Sequence, residues 1–332
     1  MPKRILYILQ QYPEHSETYI RTEIEAVRER YELSILSTSP AHLVYDDAFP
    51  FRRITSYQEA YAAIDEFKPD ILHTHWLNEM VPNIAIQKGL PFTLRSHSFD
   101  TYWSPPPPDY VTNAIKPLHH ELCLGILGFQ YVQQRFAEAG LPMEKFHVVP
   151  PVVNVSHFLN RSPNGKDVLN VGAAIPKKNM EQFLQVAADR RIDRKFRLYP
   201  LAYGTPQLHD LNAQLGGATE IHSPVQPDLM PAEYKRHEWL FINEHPKFKS
   251  FGLPVCVAEA QASGVGVCIP GIRPDVAEYV GGAGFVYTSL EEAIEILSKP
   301  YPAEMRELGF EVAQRSDISR HIHKLTDLWD RV

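Results

Sequence analysis

Short apolar runs alternate with longer amphipathic segments along this chain, the pattern of buried parallel strands separated by helices. Arg4–Leu9, Leu33–Leu36, Asp70–Trp76, Pro91–His97, Gly125–Leu127 and Phe146–Pro150 read as strands. Between them, Glu17–Arg28, Gln58–Phe67, Met80–Lys88, Thr112–Leu122 and Val132–Ala139 read as helices. In the first of these, Tyr19, Ile20, Ile24 and Val27 recur at helical spacing. Ser16 is placed as its N-cap, and Glu17 suits the positive end of the helix dipole.

The alternation pauses at Pro150-Pro151 and across the polar stretch Asn160–Lys166, then restarts. Val168–Val171, Phe196–Pro200, Glu220–His222, Leu240–Asn243 and Val265–Ile269 read as strands. Met180–Ala188, Leu208–Leu215 and Ala232–His237 read as helices. From Leu290 onward only helices are expected, at Leu290–Leu297, Ala303–Gln314 and Ile318–Trp329. This predicts an α/β protein of two doubly wound, Rossmann-like domains facing across a cleft. The expected division is residues 1–155, a linker at 156–166, a second domain at 167–312, and a C-terminal helix at 313–332 packing back toward the first. Open α/β sheets bind ligands at the carboxyl ends of their strands, so that cleft is the expected site.

One stretch carries chemistry on its own. Lys249-Ser-Phe-Gly-Leu-Pro-Val-Cys-Val-Ala-Glu-Ala-Gln-Ala-Ser-Gly264 reads as a tight loop, a helix and a stop. Pro254 suits a first helical position, and Gly264 a left-handed end. The N–H groups at such a helix start, together with its dipole, can receive a phosphate. Glu259 is the one carboxylate of this helix, a little over a turn inside it. The alternative is a plain packing unit with an exposed glutamate.

Composition narrows the class. The chain has 332 residues and a net charge of −7. Residues 1–160 hold 13 basic and 18 acidic side chains, which leaves −2 for the remainder. Neither half is basic, so nucleic-acid binding is not expected, and net charge lends no support to a hold on anionic lipid. Cys123, Cys256 and Cys268 sit in apolar runs without metal-type spacing, as buried thiols of a reducing cytosol would. The apolar run after Lys3-Arg4 is too short for a signal peptide or a membrane span. His73 and His75 alternate along one strand and could face one side, but without a third ligand at a supporting spacing they read as satisfied core or cleft histidines, so no metal site is expected.

The motifs, taken in order, resemble those of the retaining nucleotide-sugar glycosyltransferases of the GT-B fold, family four, in the polysaccharide-biosynthesis branch. Tyr12-Pro-Glu-His-Ser-Glu-Thr-Tyr-Ile20 resembles its P-x-x-S-E-T-F-I opening, and Asp70-Ile-Leu-His-Thr-His-Trp76 its D-I-I-H-x-H strand. Phe92-Thr-Leu-Arg-Ser-His-Ser-Phe-Asp100 is similar to T-x-H-x-x-D, and Val148-Val-Pro-Pro-Val-Val-Asn154 to V-I-P-N-G-V-D. Val171-Gly172 with Pro176-Lys-Lys-Asn179 resembles V-G-R-x-x-x-x-K. Phe251-Gly-Leu-Pro-Val255, Glu259–Gly264 and Gly271–Val276 complete the set.

The resemblance implies a cytoplasmic enzyme, soluble or peripheral at the inner face of the membrane. It would move a sugar from a nucleotide-diphosphate donor, such as a UDP-sugar, to a glycan or lipid-linked glycan, with no cofactor and no metal. It implies that His97 is catalytic and that Glu259 holds the ribose. Lys178, Gly252 and Leu253, flanked by Phe251 and Pro254, would meet the diphosphate and sugar. Ser16, Glu17, Asp100 and Tyr102 are candidates on the acceptor side. The family's second glutamate is missing: Phe251 or Lys249 stands there, and Lys249 suggests a uronic acid donor. Ala173 stands in place of a phosphate-binding arginine, with Arg95 or Arg273 as substitute cations. These departures keep two alternatives open, a nucleotide-sugar or glycan-binding protein that has lost turnover, and a nucleotide-sugar epimerase.

Overall fold

The computed structural model describes residues 2–97, 100, 110–248 and 252–332. They form two compact units, one of residues up to Val152 with Gly252 and Ile318–Val332, the other of Val153–Phe248 with Leu253–Asp317.

In the first unit the strands are β1 (Arg4–Gln11), β2 (Glu32–Ser39), β3 (Arg52–Arg53), β4 (Ile71–His75), β5 (Phe92–Arg95), β6 (Cys123–Gly128) and β7 (Phe146–Val148). They lie in the order β3-β2-β1-β4-β5-β6-β7, and every pairing is parallel. The order reverses at β1, so the carboxyl ends of β1 and β4 flank a switch point. Side chains alternate across the sheet. Leu72 joins Leu6, Ile8 and Leu94 in the core on one face. Ile71 joins Ile5, Tyr7 and Ile35 on the other, beneath helix α1 (Thr18–Val27). His73 and His75 share that second face, and register sets Tyr7, His73 and Thr93 side by side, with His75 beside Arg95.

The last residues of the described chain belong to this same face. Leu325, Leu328 and Trp329, from the helix His323–Trp329, pack with Tyr7 and Ile24. The Trp329 indole donates to Thr93 Oγ1 at 2.9 Å and meets the rings of Tyr7, Tyr31 and His73 edge-on. Lys324 Nζ donates to the Val148 carbonyl at 2.6 Å, and Lys3 Nζ to that of Trp329 at 2.9 Å.

The second unit has β8 (Asp167–Ala174), β9 (Phe196–Tyr203), β10 (Thr219–Ile221), β11 (His237–Phe241), β12 (Gly266–Pro270) and β13 (Gly284–Tyr287). Their order is β10-β9-β8-β11-β12-β13, again parallel throughout, with the reversal at β8. Both units are therefore Rossmann-like α/β layers. Among the described residues no helix is long and apolar enough to cross a membrane.

Several local expectations change. Glu17, not Ser16, is the N-cap of α1, and it makes no side-chain cap bond. Pro254 is an N-cap with extended backbone, so the helix begins one residue later, at Val255. Gly264 does take the left-handed conformation, φ 75°, and a Cβ there would meet Arg306 Nε at 2.8 Å. The helix expected at Thr112–Leu122 is α-helical over Tyr110–Ile115 and tightens to a 3₁₀ turn at Lys116–His119, where Pro117 has no N–H to donate. A strand, β13, and a short helix, Val276–Val280, lie before the C-terminal helices. The polar stretch after Pro151 is not slack. Asn160 N–H donates to the Ala262 carbonyl, and Lys235 Nζ donates to the carbonyls of Asn160, Ser162 and Ser263, which ties it to the second unit.

Truncating Trp329 to alanine removes a fully buried indole and strands Thr93, which should cost about 3–5 kcal/mol. Urea unfolding of Trp329→Ala checks this; a loss below about 1 kcal/mol would mean that the C-terminal helix is not part of the first unit's core.

Candidate functional site

On the covered face of the first sheet, α1 lowers one carboxylate, Glu23, onto β4 and β5. Glu23 has no exposure to solvent. Arg95 Nη1 donates to its Oε2 at 2.6 Å. His75 Nε2 lies 3.0 Å from Oε1 and Tyr7 donates its hydroxyl to the same oxygen at 3.3 Å. His73 Nε2 is also 3.0 Å away, off the line of a well-aligned hydrogen bond. Burial by itself would raise the Glu23 carboxyl, but His75 and His73 outweigh it and hold the group well below the usual carboxylate range.

The cluster then reaches the strand ends. His75 Nδ1 is 2.9 Å from His97 Nε2, with the two rings nearly coplanar at 14°. Burial lowers His75 to about 4 against the pull of Glu23. It lowers His97 well below its ordinary value too, with His75 and Arg95 adding to the effect. The His97 ring is packed against Tyr19 and Trp76, with centroids at 4.4 and 4.6 Å. Trp76 holds φ at 72°, costly for so large a side chain and characteristic of functional sites. Asp100 fixes the turn: its carboxylate accepts from the N–H groups of Leu77 at 2.6 Å and His97 at 3.1 Å, and from the Ser96 hydroxyl at 3.1 Å. Burial still raises Asp100 to about 6.

Glu23, His73 and His75 form the third-ligand geometry that spacing along β4 could not reveal, since Glu23 comes from α1. The Arg95 guanidinium already neutralises that carboxylate, and a cation there would sit against it. The arrangement is a carboxylate ringed by donors.

In the second unit, the loops after β8 and β11 meet at the switch point. Lys178 closes a 3₁₀ turn, Pro176–Lys178, and its Nζ lies 3.5 Å from Glu244 Oε1. The loops are pinned together by His245 N–H donating to the Lys177 carbonyl and Asn179 Nδ2 to that of Glu244. Glu244 is 3% exposed, and its Oε2 is enclosed with no hydrogen-bond partner among the described residues. Burial raises its carboxyl to about 8, against the lowering effect of Lys178 and Lys177. Lys177 is lowered to about 8, by burial and then by Lys178.

The helix Val255–Ala262 supplies Glu259, which is buried and accepts from the Tyr234 hydroxyl at 2.8 Å. Burial raises Glu259 to about 7, with the Tyr234 hydrogen bond acting against it. The Tyr279 hydroxyl anchors the helix start by donating to the Pro254 carbonyl at 2.9 Å. Burial pushes the Cys256 thiol up to about 12, while Lys178, Glu259 and Glu244 all act on it electrostatically. Those three side chains therefore share one neighbourhood with the first turn of the helix.

Gly252, Leu253 and Pro254 lead into that turn and are half-buried. Arg95 is committed to Glu23, and Arg273 to Asp275 at 2.5 Å, both buried, so neither stands as a spare cation. Ser16 and Glu17 lie at the start of α1; burial and the neighbouring Glu14 raise Glu17 to about 8. Lys249, Phe251 and Tyr102 lie outside the described residues. Sequence reasoning placed Glu23, with Ile24, just past the opening motif but gave it no site role, and it missed Glu244 and Tyr234. Glu244 had a readable signal: it is the acid just past the carboxyl end of a strand. Tyr234 had none, and what Glu23 does was hidden, because their partners are far away in the chain.

The described fold is shared with solved structures at low identity. HepE from Anabaena, determined in complex with UDP and glucose, is 14% identical over 98% of this chain and 99% of its own, with a TM-score of 0.77. WaaG, a glycosyltransferase involved in lipopolysaccharide biosynthesis, is 14% identical over 93% of this chain and 94% of its own, with a TM-score of 0.67. UDP-GlcNAc 2-epimerase from Neisseria meningitidis, bound to UDP-GlcNAc, is 14% identical over 99% and 100%, with a TM-score of 0.61. No protein-family model and no curated protein matches the chain.

Glu244 gives the second unit a measurable pH dependence. Its folded value, about 8, exceeds the ordinary 4.5, so the folded state holds the proton more tightly. The stability this contributes is complete below about pH 4.5 and is lost as pH rises through about 8. Glu244→Gln should flatten the decline in stability between about pH 5 and 8, read by urea unfolding across that range; an unchanged slope would show that Glu244 titrates normally.

Proposed function

We propose that this chain is a retaining, metal-independent glycosyltransferase of the cytoplasm, using a nucleotide-diphosphate sugar as donor and a glycan or lipid-linked glycan as acceptor. The observation that carries this reading is the convergence of Lys178, Glu244, Glu259 and a helix N-terminus at the switch point of the second sheet. Each group suits one part of such a donor. The first-turn N–H groups and Lys178 receive the diphosphate and balance its charge as it leaves. Glu259 takes the ribose diol, with Tyr234 holding its carboxylate in place until then. Glu244, neutral at pH 7, offers both a donor and an acceptor to a sugar hydroxyl, in the role that Lys249 and Phe251 cannot fill. The acceptor hydroxyl attacks the anomeric carbon from the face that the diphosphate leaves. The fold shared with HepE, solved with UDP and glucose, supports a uridine nucleotide.

The epimerase reading has one supporting fact, the shared fold of a UDP-GlcNAc 2-epimerase. Products distinguish the readings. Transfer or slow hydrolysis of UDP-glucose supports glycosyl transfer, isomerisation of a nucleotide sugar without acceptor supports the epimerase, and binding without turnover supports a binding protein. UDP should raise the melting temperature. Lys178→Ala should weaken UDP binding by about 10- to 100-fold, the range expected for a hydrogen bond to a charged group. Isothermal titration checks this, and equal affinity would remove Lys178 from the diphosphate.

A further inference from the structure

The first unit fixes not only where the His97 ring lies but which of its nitrogens carries the proton. Glu23 is ionised, because the Arg95 guanidinium sits 2.6 Å from one of its oxygens with both side chains buried. The other oxygen is 3.0 Å from His75 Nε2, so that nitrogen must be the donor. A neutral His75 then has only a lone pair at Nδ1. Its neighbour at 2.9 Å, His97 Nε2, must therefore donate to it. His73 is compatible with the same orientation: Thr93 Oγ1 accepts from the Trp329 indole and still has its own proton to donate to His73 Nδ1 at 2.7 Å, with Nε2–H then toward Glu23.

We infer that Glu23, acting through His75, locks His97 in the Nε2–H form, so that its Nδ1 is an obligate hydrogen-bond acceptor. Glu23 and His75 are thus positioning residues for His97. The consequence for chemistry is selective. A nitrogen with a lone pair receives a hydroxyl proton and repels a phosphate oxygen. His97 therefore takes a hydroxyl group, not a phosphate oxygen, and in a glycosyl transfer that hydroxyl is a sugar's. This last step rests on the glycosyl transfer proposed above; the proton order along the relay does not. The other groups around the ring are consistent with a neutral His97: Tyr19 and Trp76 pack on it, and the Asp100 carboxylate is occupied by N–H groups and Ser96. The burial that lowers both histidines acts in the same direction.

Nitrogen-15 NMR of the whole protein carrying labelled histidine tests the relay without substrate. His97→Asn identifies the His97 ring signals. The expected spectrum has Nε2 protonated and Nδ1 unprotonated at pH 7; a protonated His97 Nδ1 overturns the inference. Glu23→Gln should release the lock, giving His75 and His97 mixed tautomers. Because that variant leaves Arg95 buried without its partner, His75→Phe is the companion, keeping a ring while removing the acceptor. In it, His97 should again show both forms, and kcat with UDP-glucose should fall at least about tenfold, with KM much less changed. An unaltered His97 tautomer in folded variants overturns the positioning role. UDP-glucose added to the wild-type protein should shift the Nδ1 resonance, and UDP alone should not. Equal shifts from both overturn the sugar assignment. Failure of either nucleotide to bind, with the tautomer as expected, refutes the glycosyl-transfer reading and leaves the relay standing.

Discussion

A carboxylate cut off from water survives only if its surroundings replace the lost solvation, and that requirement at Glu23 organises the first unit. Arg95 supplies the charge, and His73, His75 and Tyr7 crowd the remaining lone pairs. Meeting it takes residues from β1, β4, β5 and α1 at fixed register, so helix and sheet cannot slide against one another. Removing one member of such a cluster typically costs several kcal/mol, because it strands a buried charge. The outer edge of the cluster is His97. Its geometry is set by electrostatics deep in the sheet, not by the turn alone.

The second unit makes the opposite arrangement. Among the described residues, Glu244 and Glu259 are buried with few partners, one oxygen of Glu244 enclosed and unbonded, Glu259 accepting from Tyr234. A folded protein tolerates such groups where a ligand will complete them, since an unsatisfied buried polar atom costs about 1–3 kcal/mol. The Glu23 carboxylate is met by charge and donors, whereas Glu244 is not, among the described residues. The first suits a rigid group that must present one protonation state, the second a pocket that gains by filling.

The fold was legible because buried parallel strands announce themselves locally. Ile71–His75 and Gly266–Pro270 are read from their own residues, and the alternation of strand and helix gave the two Rossmann-like layers. What escaped was short or non-local. β3 is two exposed arginines, and β13 is four residues at a sheet edge, too brief for periodicity to register. Ser16 looked like a cap because cap preference is local, while the burial of the neighbouring loop is not. His73 and His75 could be placed on one face from spacing alone. That Glu23 would meet them required the register of a helix fifty residues earlier in the chain. The missing acid was sought along the motif, at Lys249 and Phe251, and Glu244, a buried carboxylate just past the end of β11, was not considered.

The helix His323–Trp329 sits in the core of a unit whose strands are all made before residue 149. A ribosome releases the seven strands of the first sheet early, but the indole that caps Tyr7, His73 and Thr93 comes only after the whole second unit. Domains usually fold as they emerge, the leading one first. Here the trailing unit can close while the leading sheet still lacks part of its cover, with an apolar face open to solvent. The burden of protection during synthesis thus falls on the part of the chain that is made first and finished last.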